Sequence, residues 1–167
     1  MFRRFKENLE SRQFQALLEN VHGWRETCDQ VTSICGQVLH DETVFQGDIG
    51  VALDKADRLL FQVRNFTSEA RRLLRRRQQP DLAARLNQAS NRIFELRNET
   101  TRFLIRCQGP GPLSGARPDE ATRRGYYDRA LQEIGFKARQ LHAEVEGELS
   151  SIGNALQSWI VQTENKS

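Results

Sequence analysis

The residues that could carry catalytic or metal chemistry in this chain are few. A di-metal site in a helical bundle needs Glu-x-x-His on two helices and an inward glutamate on each of the others. The chain contains one suitable pair, Glu19 and His22, and in the helical register that begins at Phe14 both are expected to face water. The sequence has no glycine-rich phosphate loop and no paired acids at catalytic spacing. We therefore predict no metal, no cofactor and no enzymatic activity.

The cysteines and histidines are explained as structural or surface residues. Cys28 and Cys35 share a helix face but lie about 10 Å apart along the axis, too far to hold one ion. All three cysteines, Cys28, Cys35 and Cys107, fall on predicted core positions, which is typical of small buried thiols in a reduced, cytosolic protein. No nucleophile or acid stands at catalytic spacing from a histidine, and isolated surface positions are predicted for His22, His40 and His142.

Basic and apolar residues alternate at the N-terminus. Phe2, Phe5 and Leu9 form an i, i+3, i+7 stripe, which lies out of phase with the core stripe that begins at Phe14. A short amphipathic basic segment can dock on a membrane surface or in the groove of a protein partner. The alternative is that the segment kinks and covers the end of the bundle. The predicted binding residues of this segment are Phe2, Arg3, Arg4, Phe5, Lys6 and Leu9.

A second basic segment is RRLLRRR at residues 71–77. Leu73 and Leu74 belong to the predicted core, so the arginines fan out around the end of the second helix. In an up-down bundle this helix end and the N-terminus lie at the same pole. Basic residues near an anionic membrane contribute about 1 kcal/mol each, although a solvated helix end stabilised by its own cations is the alternative. The predicted binding residues here are Arg71, Arg72, Arg75, Arg76 and Arg77.

Four stretches with an apolar residue at every third or fourth position must hold these segments in place. A mean spacing of 3.5 residues predicts helices that pack on one another, at 4–40, 48–77, 81–107 and 119–162. Residues 108–118, with three prolines and three glycines, are predicted to form a flexible loop. Because the other links are short, the predicted fold class is all-α, an antiparallel up-down-up-down four-helix bundle in one domain, residues 1–167. The alternative is a shorter bundle that opens and assembles with other chains.

The predicted core stripes name the residues that should be buried. The first runs from Phe14 to Val38 and the third from Leu82 to Cys107. The second comprises Ile49, Ala52, Ala56, Leu59, Val63, Phe66, Ala70 and Leu73. The fourth comprises Tyr127, Leu131, Ile134, Ala138, Leu141 and Val145, then slips over Glu148 and Leu149 to Ile152, Ala155 and Trp159.

The composition restricts the partners and the location. A net charge of +3 in 167 residues is too small to argue for nucleic acid. No apolar run approaches the roughly 20 residues of a membrane span, and the N-terminus lacks the apolar core of a secretory signal. We predict a cytoplasmic protein, with peripheral attachment at the inner face of the membrane. The predicted partners are a protein or a second copy, bound through helix faces, and an anionic lipid surface; no small-molecule substrate is expected.

The segments CGQVL (35–39), ALDKADRLL (52–60), RRLLRRR (71–77) and RIFELRNETTRFL (92–104) give residues 1–107 a helix order that resembles the N-terminal four-helix bundles of cell-death effectors. These are the HeLo-type domains, the bundle of the mixed-lineage-kinase-like pseudokinase and plant resistance coiled-coil domains. The resemblance implies a domain that oligomerises after release from inhibition and perturbs a membrane. The fourth helix has no counterpart in it.

Two functions remain open from the sequence. The first is a signalling, oligomerising bundle, in the manner of a cell-death effector domain, that acts at an anionic membrane surface through the two basic segments. The second is a cytosolic adaptor or scaffold that binds only protein helices, for which the basic residues are solubilising charge. Large apolar residues outside the core stripes favour a contact surface in either case: Phe61, Phe94, Ile105, Phe136, Ile160 and Val161.

Overall fold

The computed structural model describes residues 2–40, 49–110 and 118–166, without the side chains of Phe2, Phe5 and Ile49. These residues form α1 (Phe2–His40), α2 (Ile49–Arg76), α3 (Pro80–Gln108), α4 (Glu120–Ala130), a π-helical turn (Leu131–Gly135) and α5 (Phe136–Glu164). Segments α4, the π turn and α5 follow one another without a break, and we refer to them together as the fourth helix. No strand occurs in the described ranges. The predicted loop, residues 108–118, lies mostly outside them.

The helix ends follow local sequence signals. Gln78 adopts a left-handed backbone with φ of 57° between α2 and α3. Pro80 then begins α3, where its missing N–H costs no helical hydrogen bond. Asp119 caps α4 by accepting a hydrogen bond from the backbone N–H of Thr122 at 2.7 Å. Hydrogen bonds from the Thr122 side chain and backbone lower the pKa of the Asp119 carboxyl.

The four helices pack together with α1 and α3 at the centre. These two helices contact each other, and each also packs against α2 and the fourth helix. Helix α2 and the fourth helix lie on opposite sides of this central pair and share little contact within the described residues. The α4 segment packs mainly on α3. Helices α1 and α3 therefore form the central pair, and all four helices contribute similar numbers of buried apolar residues.

The predicted core stripes of α1 and α3 match the buried residues closely. In α3 every predicted position from Leu82 to Cys107 is buried. In α1 the buried stripe begins at Leu17, and only Phe14 is half-buried. Adjacent positions add Leu39 and Leu104 to the core. The three cysteines are buried and free, as predicted.

The predicted core of α2 is wrong at alternate positions. Ala56, Val63 and Ala70 are buried as expected, but Leu59 is only half-buried and Leu60 takes the core position. The helix contains a run of neighbouring pairs in which either residue could have completed the stripe. The structure buries Leu53 rather than Ala52, Leu60 rather than Leu59, Thr67 rather than Phe66, and both Leu73 and Leu74.

The fourth helix departs from its predicted stripe at a different place. The slip predicted at Glu148 and Leu149 does not occur, because Leu149 is itself buried. One residue is instead added between Ile134 and Ala138, at the π turn. Beyond this turn His142 occupies the core position predicted for Leu141, which is half-buried. The buried positions are Tyr127, Ala130, Ile134, Ala138, His142, Val145, Leu149, Ile152 and Leu156.

A polar network crosses the centre of the core and joins three helices. The indole N–H of Trp24 in α1 donates to Ser90 Oγ in α3 at 3.0 Å. The Ser90 and Thr67 hydroxyls lie 2.7 Å apart, and each also approaches a backbone carbonyl of its own helix. Since the two hydroxyls have one proton each, one donates to the other and only one of them donates to its carbonyl. All three side chains are thus satisfied inside the core.

Candidate functional site

The two basic segments predicted from the sequence meet at Arg77. Its Nη2 donates to the backbone carbonyl of Glu10 at 2.8 Å. Its guanidinium also lies over the Phe14 ring, 5.2 Å from the centroid, while Phe14 packs edge-on against Trp159 at 6.1 Å. The end of α2 is therefore held against residues 10–14 of α1, so that the residues before Glu10 extend beyond this contact.

Two further arginines of the 71–77 segment have structural partners. Arg71 is half-buried, and its Nη1 donates to Asn87 Oδ1 in α3 at 2.9 Å. Arg72 pairs with Glu69, one turn earlier in the same helix. Arg71 and Arg77 thus connect α2 to its neighbours, a role that the charge pattern alone did not reveal. Replacing either of them would alter packing as well as charge.

Arg75 and Arg76 differ from the other three arginines. Both side chains are exposed, and neither forms an ion pair with another described residue. They lie in the last turn of α2, where a cation is favoured by the helix dipole. Their charge is therefore available to a ligand in solution without disturbing any contact within the described part of the bundle.

The N-terminal segment of α1 is helical and exposed. Arg3, Arg4, Lys6 and Leu9 all face solvent, and Leu9 is 49% exposed. Among the described side chains before Glu10 there is one ion pair, between Arg3 and Glu7 at 3.7 Å. The side chains of Phe2 and Phe5 lie outside the described part of the chain. At about 1.5 Å per residue, Arg3 lies roughly 10 Å beyond Glu10 along the helix axis.

Arg12 is a further exposed cation in this part of α1 and was missed. It is exposed on α1 between Leu9 and Phe14, close in sequence to the carbonyl that binds Arg77. Its position outside the core stripe that contains Phe14 was the signal that could have identified it. We call six exposed cations of α1 and α2 at this end of the bundle the basic pole: Arg3, Arg4, Lys6, Arg12, Arg75 and Arg76.

The residues considered for metal chemistry are not brought together. Glu19 and His22 are both exposed, and His22 lies 3.8 Å from Glu26 in a surface pair. No group of three or more His, Cys, Asp or Glu side chains in the described ranges is arranged to hold a metal ion. Burial raises the pKa of the Cys107 thiol to about 12 and also raises the pKa of Cys28 and Cys35. The cysteines are accordingly unreactive thiols at neutral pH.

The prediction that all three histidines are isolated surface residues is wrong for His142. Its ring is buried between α1 and α5, with Nε2 3.1 Å from the backbone carbonyl of Thr32. Gly36 makes this approach feasible, because a Cβ at that position would lie 2.6 Å from Nε2. The His40 ring packs edge-on against His142, with centroids 5.5 Å apart. The spacing of Gly36 and His142 carries no motif that reveals this contact from the sequence.

Several large apolar residues outside the core are exposed, as the sequence indicated. Phe61, Ile105 and Phe136 are each more than half exposed, and Val161 is 43% exposed. Phe94 is half-buried and is covered by the guanidinium of Arg64, 5.1 Å from its ring centroid. The exposed residues lie on α2, α3 and the fourth helix.

Comparison of the chain with protein-family models, with curated proteins and with solved structures gives no match. None of the helices in the described ranges combines the length and the apolar character needed to cross a lipid bilayer.

Proposed function

We propose that this protein is a signalling bundle that acts at an anionic membrane surface through its basic pole. The observation that carries the proposal is the contact between Arg77 and Glu10, which leaves residues 2–9 of α1 projecting beside the exposed Arg75 and Arg76. Six exposed cations then share one end of the molecule with an exposed leucine. Each basic side chain near anionic lipid contributes about 1 kcal/mol, so several acting together would hold the protein at a membrane.

The proposal includes an antiparallel up-down-up-down arrangement of the four helices with heptad-spaced core residues. Contacts that pair early residues of one helix with late residues of its neighbour support it. Phe14 lies against Trp159, whereas the carbonyl of Leu39 accepts a hydrogen bond from Arg139. Further pairs with the same sense are Glu10 with Arg77, Gly23 with Phe66, Asp57 with Arg97, and Asn87 with Arg71.

Acids near the basic pole offset only part of its charge. Glu7 pairs with Arg3 at 3.7 Å through exposed side chains, and Glu69 pairs with Arg72. Glu10 and Asp81 are also exposed at this end. Exposed ion pairs of this kind contribute little in water. The remaining cations can therefore contact lipid phosphates. A role in cell-death signalling would follow from the resemblance over residues 1–107 and stays a prediction.

Vesicle co-sedimentation with a matched pair of charge variants tests the proposal. We expect the protein to bind phosphatidylserine-containing vesicles and not pure phosphatidylcholine vesicles. Changing Arg75 and Arg76 to glutamine should weaken this binding while the unfolding midpoint is kept. The control changes Arg58 and Arg124, two exposed arginines far from the pole, and should have a smaller effect. Binding should also weaken as salt rises, since screening extends over about 8 Å at physiological ionic strength.

Equal losses in the two double variants would mean that net charge, not the basic pole, sets the affinity. Absence of binding to either vesicle would instead favour the alternative function, an adaptor or scaffold that binds protein helices. The exposed Phe61, Ile105 and Phe136 support that alternative, because apolar side chains on helix faces are common contacts between proteins. Self-association through these faces would be seen as a concentration-dependent mass in solution.

A further inference from the structure

The fourth helix is attached to α1 by side chains that bind backbone carbonyls. Arg139 Nε donates to Leu39 O at 2.7 Å, in the last turn of α1. His142 Nε2 contacts Thr32 O at 3.1 Å, and Arg25 Nη1 donates to Leu149 O in the opposite direction. A carbonyl oxygen can only accept, so Nε2 of His142 carries the hydrogen and the neutral ring has its free nitrogen at Nδ1.

A second histidine faces His142 at this contact. The rings of His40 and His142 stand 5.5 Å apart between centroids, at an interplanar angle of 62°. They lie on an open cleft of about 660 Å³ between α1 and α5, which gives water and protons access. Histidine is the side chain whose charge ordinarily changes between pH 5 and 8. Protonation of His40 would place a positive charge against the buried ring of His142 and beside the guanidinium of Arg139.

The surrounding charges oppose rather than favour a positive charge on His40. On the α1 side, Arg25 and Asp29 pair with each other at 2.9 Å. On the side of the fourth helix, Arg139 carries a permanent charge beside His40, and Glu146 lies 3.7 Å from His142 Nε2 with its side chain 61% exposed. The lining of this cleft comes from α1 and α5 among the described residues. Asp29 is already paired with Arg25, so Glu146 is the carboxylate left to offset a charge on His40 beside Arg139.

We propose that the His40–His142 contact is an acid-sensitive latch between α1 and the fourth helix, which holds at neutral pH and loosens when His40 is protonated. This device is independent of membrane binding. Loosening would separate the C-terminal turns of α1 from α5 and expose Val38, Leu39 and Ala138, which are buried in the closed bundle. An apolar surface would then become available for another helix.

The direction of the pH effect follows from His40. Partial desolvation of its ring, and then the charges of Arg139 and His142, lower the pKa of His40 from its ordinary value of 6.5, and the Glu146 carboxylate opposes this shift. The folded protein thus takes up a proton at this residue less readily than the unfolded chain does. Stability attributable to His40 is therefore present above about pH 6.5 and falls as the pH falls below it.

The experiment compares wild type with three single variants at pH 7.5 and pH 5.5. The unfolding temperature of wild type should be lower at pH 5.5 than at pH 7.5. The unfolding temperature of His40→Gln should fall by less. His142→Gln keeps an N–H that can reach Thr32 O and removes the ring that His40 contacts, so its unfolding temperature should also fall less. The control is His22→Gln, because the imidazole of His22 pairs with Glu26 on the exposed surface. Its unfolding temperature should fall by as much as that of wild type.

Hydrogen exchange locates the opening. Protection factors, which are corrected for the intrinsic effect of pH, should fall at pH 5.5 for the amides of residues 34–40 more than for residues 20–28. The same change should be reduced in His40→Gln. The latch is refuted if the unfolding temperatures of His40→Gln and wild type fall equally between pH 7.5 and pH 5.5, or if protection falls uniformly along α1. His40 is exposed, so this variant is expected to fold even if His142→Gln does not.

Discussion

At the scale of single residues, Gly36 has a role that only a residue without a side chain can fill. In α1 it leaves the carbonyl of Thr32 open to the ring of His142, and a Cβ there would lie 2.6 Å from Nε2. A Cβ added at Gly147 in α5 would have no atom within 4 Å outside its own helical backbone. The two glycines thus share a helical backbone and differ in what an added methyl group would contact.

We expect Gly36→Ala and Gly147→Ala to change stability in opposite directions. Alanine at 36 must displace a buried ring and should cost about 1 to 3 kcal/mol, as overpacking usually does. Alanine at 147 should stabilise by about 0.5 to 1 kcal/mol, because it favours the helix without a clash. Urea unfolding of both variants measures the difference. A stabilised Gly36→Ala protein would show that His142 does not require this glycine.

The residue scale also sets the limit of prediction for the candidate site. The exposure of Arg75, Arg76, Lys6 and Leu9 followed from their place outside the core stripes. The contact of Arg77 with Glu10 did not, because it depends on how far α1 extends past the end of α2. Likewise, the burial of His142 depends on an approach to another helix, which no local pattern encodes.

At the scale of elements, the apolar periodicity predicted four helices, but it predicted the buried face of α1 and α3 better than that of α2 and the fourth helix. In the middle of α1 and α3 most steps, such as Trp24 and Leu96, offer a single apolar residue, and the predicted stripes are buried apart from Phe14. In α2 neighbouring pairs such as Leu59 and Leu60 gave two equivalent stripes, and the choice between them is made by packing on α1 and α3. In the fourth helix the polar His142 interrupts the apolar stripe. The irregular step was therefore predicted at Glu148 and Leu149, more than ten residues after the π turn at which it occurs.

One inserted residue at the π turn accounts for the spacing of the buried positions in the fourth helix. Steps between its buried positions alternate three and four except across Leu131–Gly135, where a step of four replaces three. Gly135 in this turn lies against the Phe103 ring, which a Cβ would approach to 2.9 Å. Single-turn π segments are a known way of accommodating such a residue within an α-helix. The turn therefore keeps both parts of the helix in register with α3.

Deleting one residue tests this explanation. Removing the exposed Gln132 should convert the π turn into regular α-helix, restore the alternating step and leave a folded protein. Removing the exposed Ala143, where no extra residue is present, should rotate all later core residues by about 100° away from the core and destabilise the packing of the fourth helix. Circular dichroism melts of the two deletions distinguish them. Equal destabilisation by both would contradict the assignment of the inserted residue.

At the scale of the whole molecule, the bundle has two ends with different properties. One end carries the basic pole and the projecting N-terminal segment of α1, and the other carries the His40–His142 contact and the α4 segment. Because α1 runs from one end to the other, a change at the histidines and a change at the pole act on the same helix. The core between them is held by the Trp24–Ser90–Thr67 network, which ties α1 to α2 and α3.

Membrane binding by a folded protein that lacks residues 2–9 is the measurement that tests the central claim most directly. This deletion keeps the Glu10 carbonyl that binds Arg77 and removes no buried side chain among those described. We expect the unfolding midpoint to stay close to that of wild type and binding to anionic vesicles to be lost. A folded deletion variant that binds anionic vesicles as well as wild type would contradict the claim that the N-terminal segment and the basic pole act at a membrane.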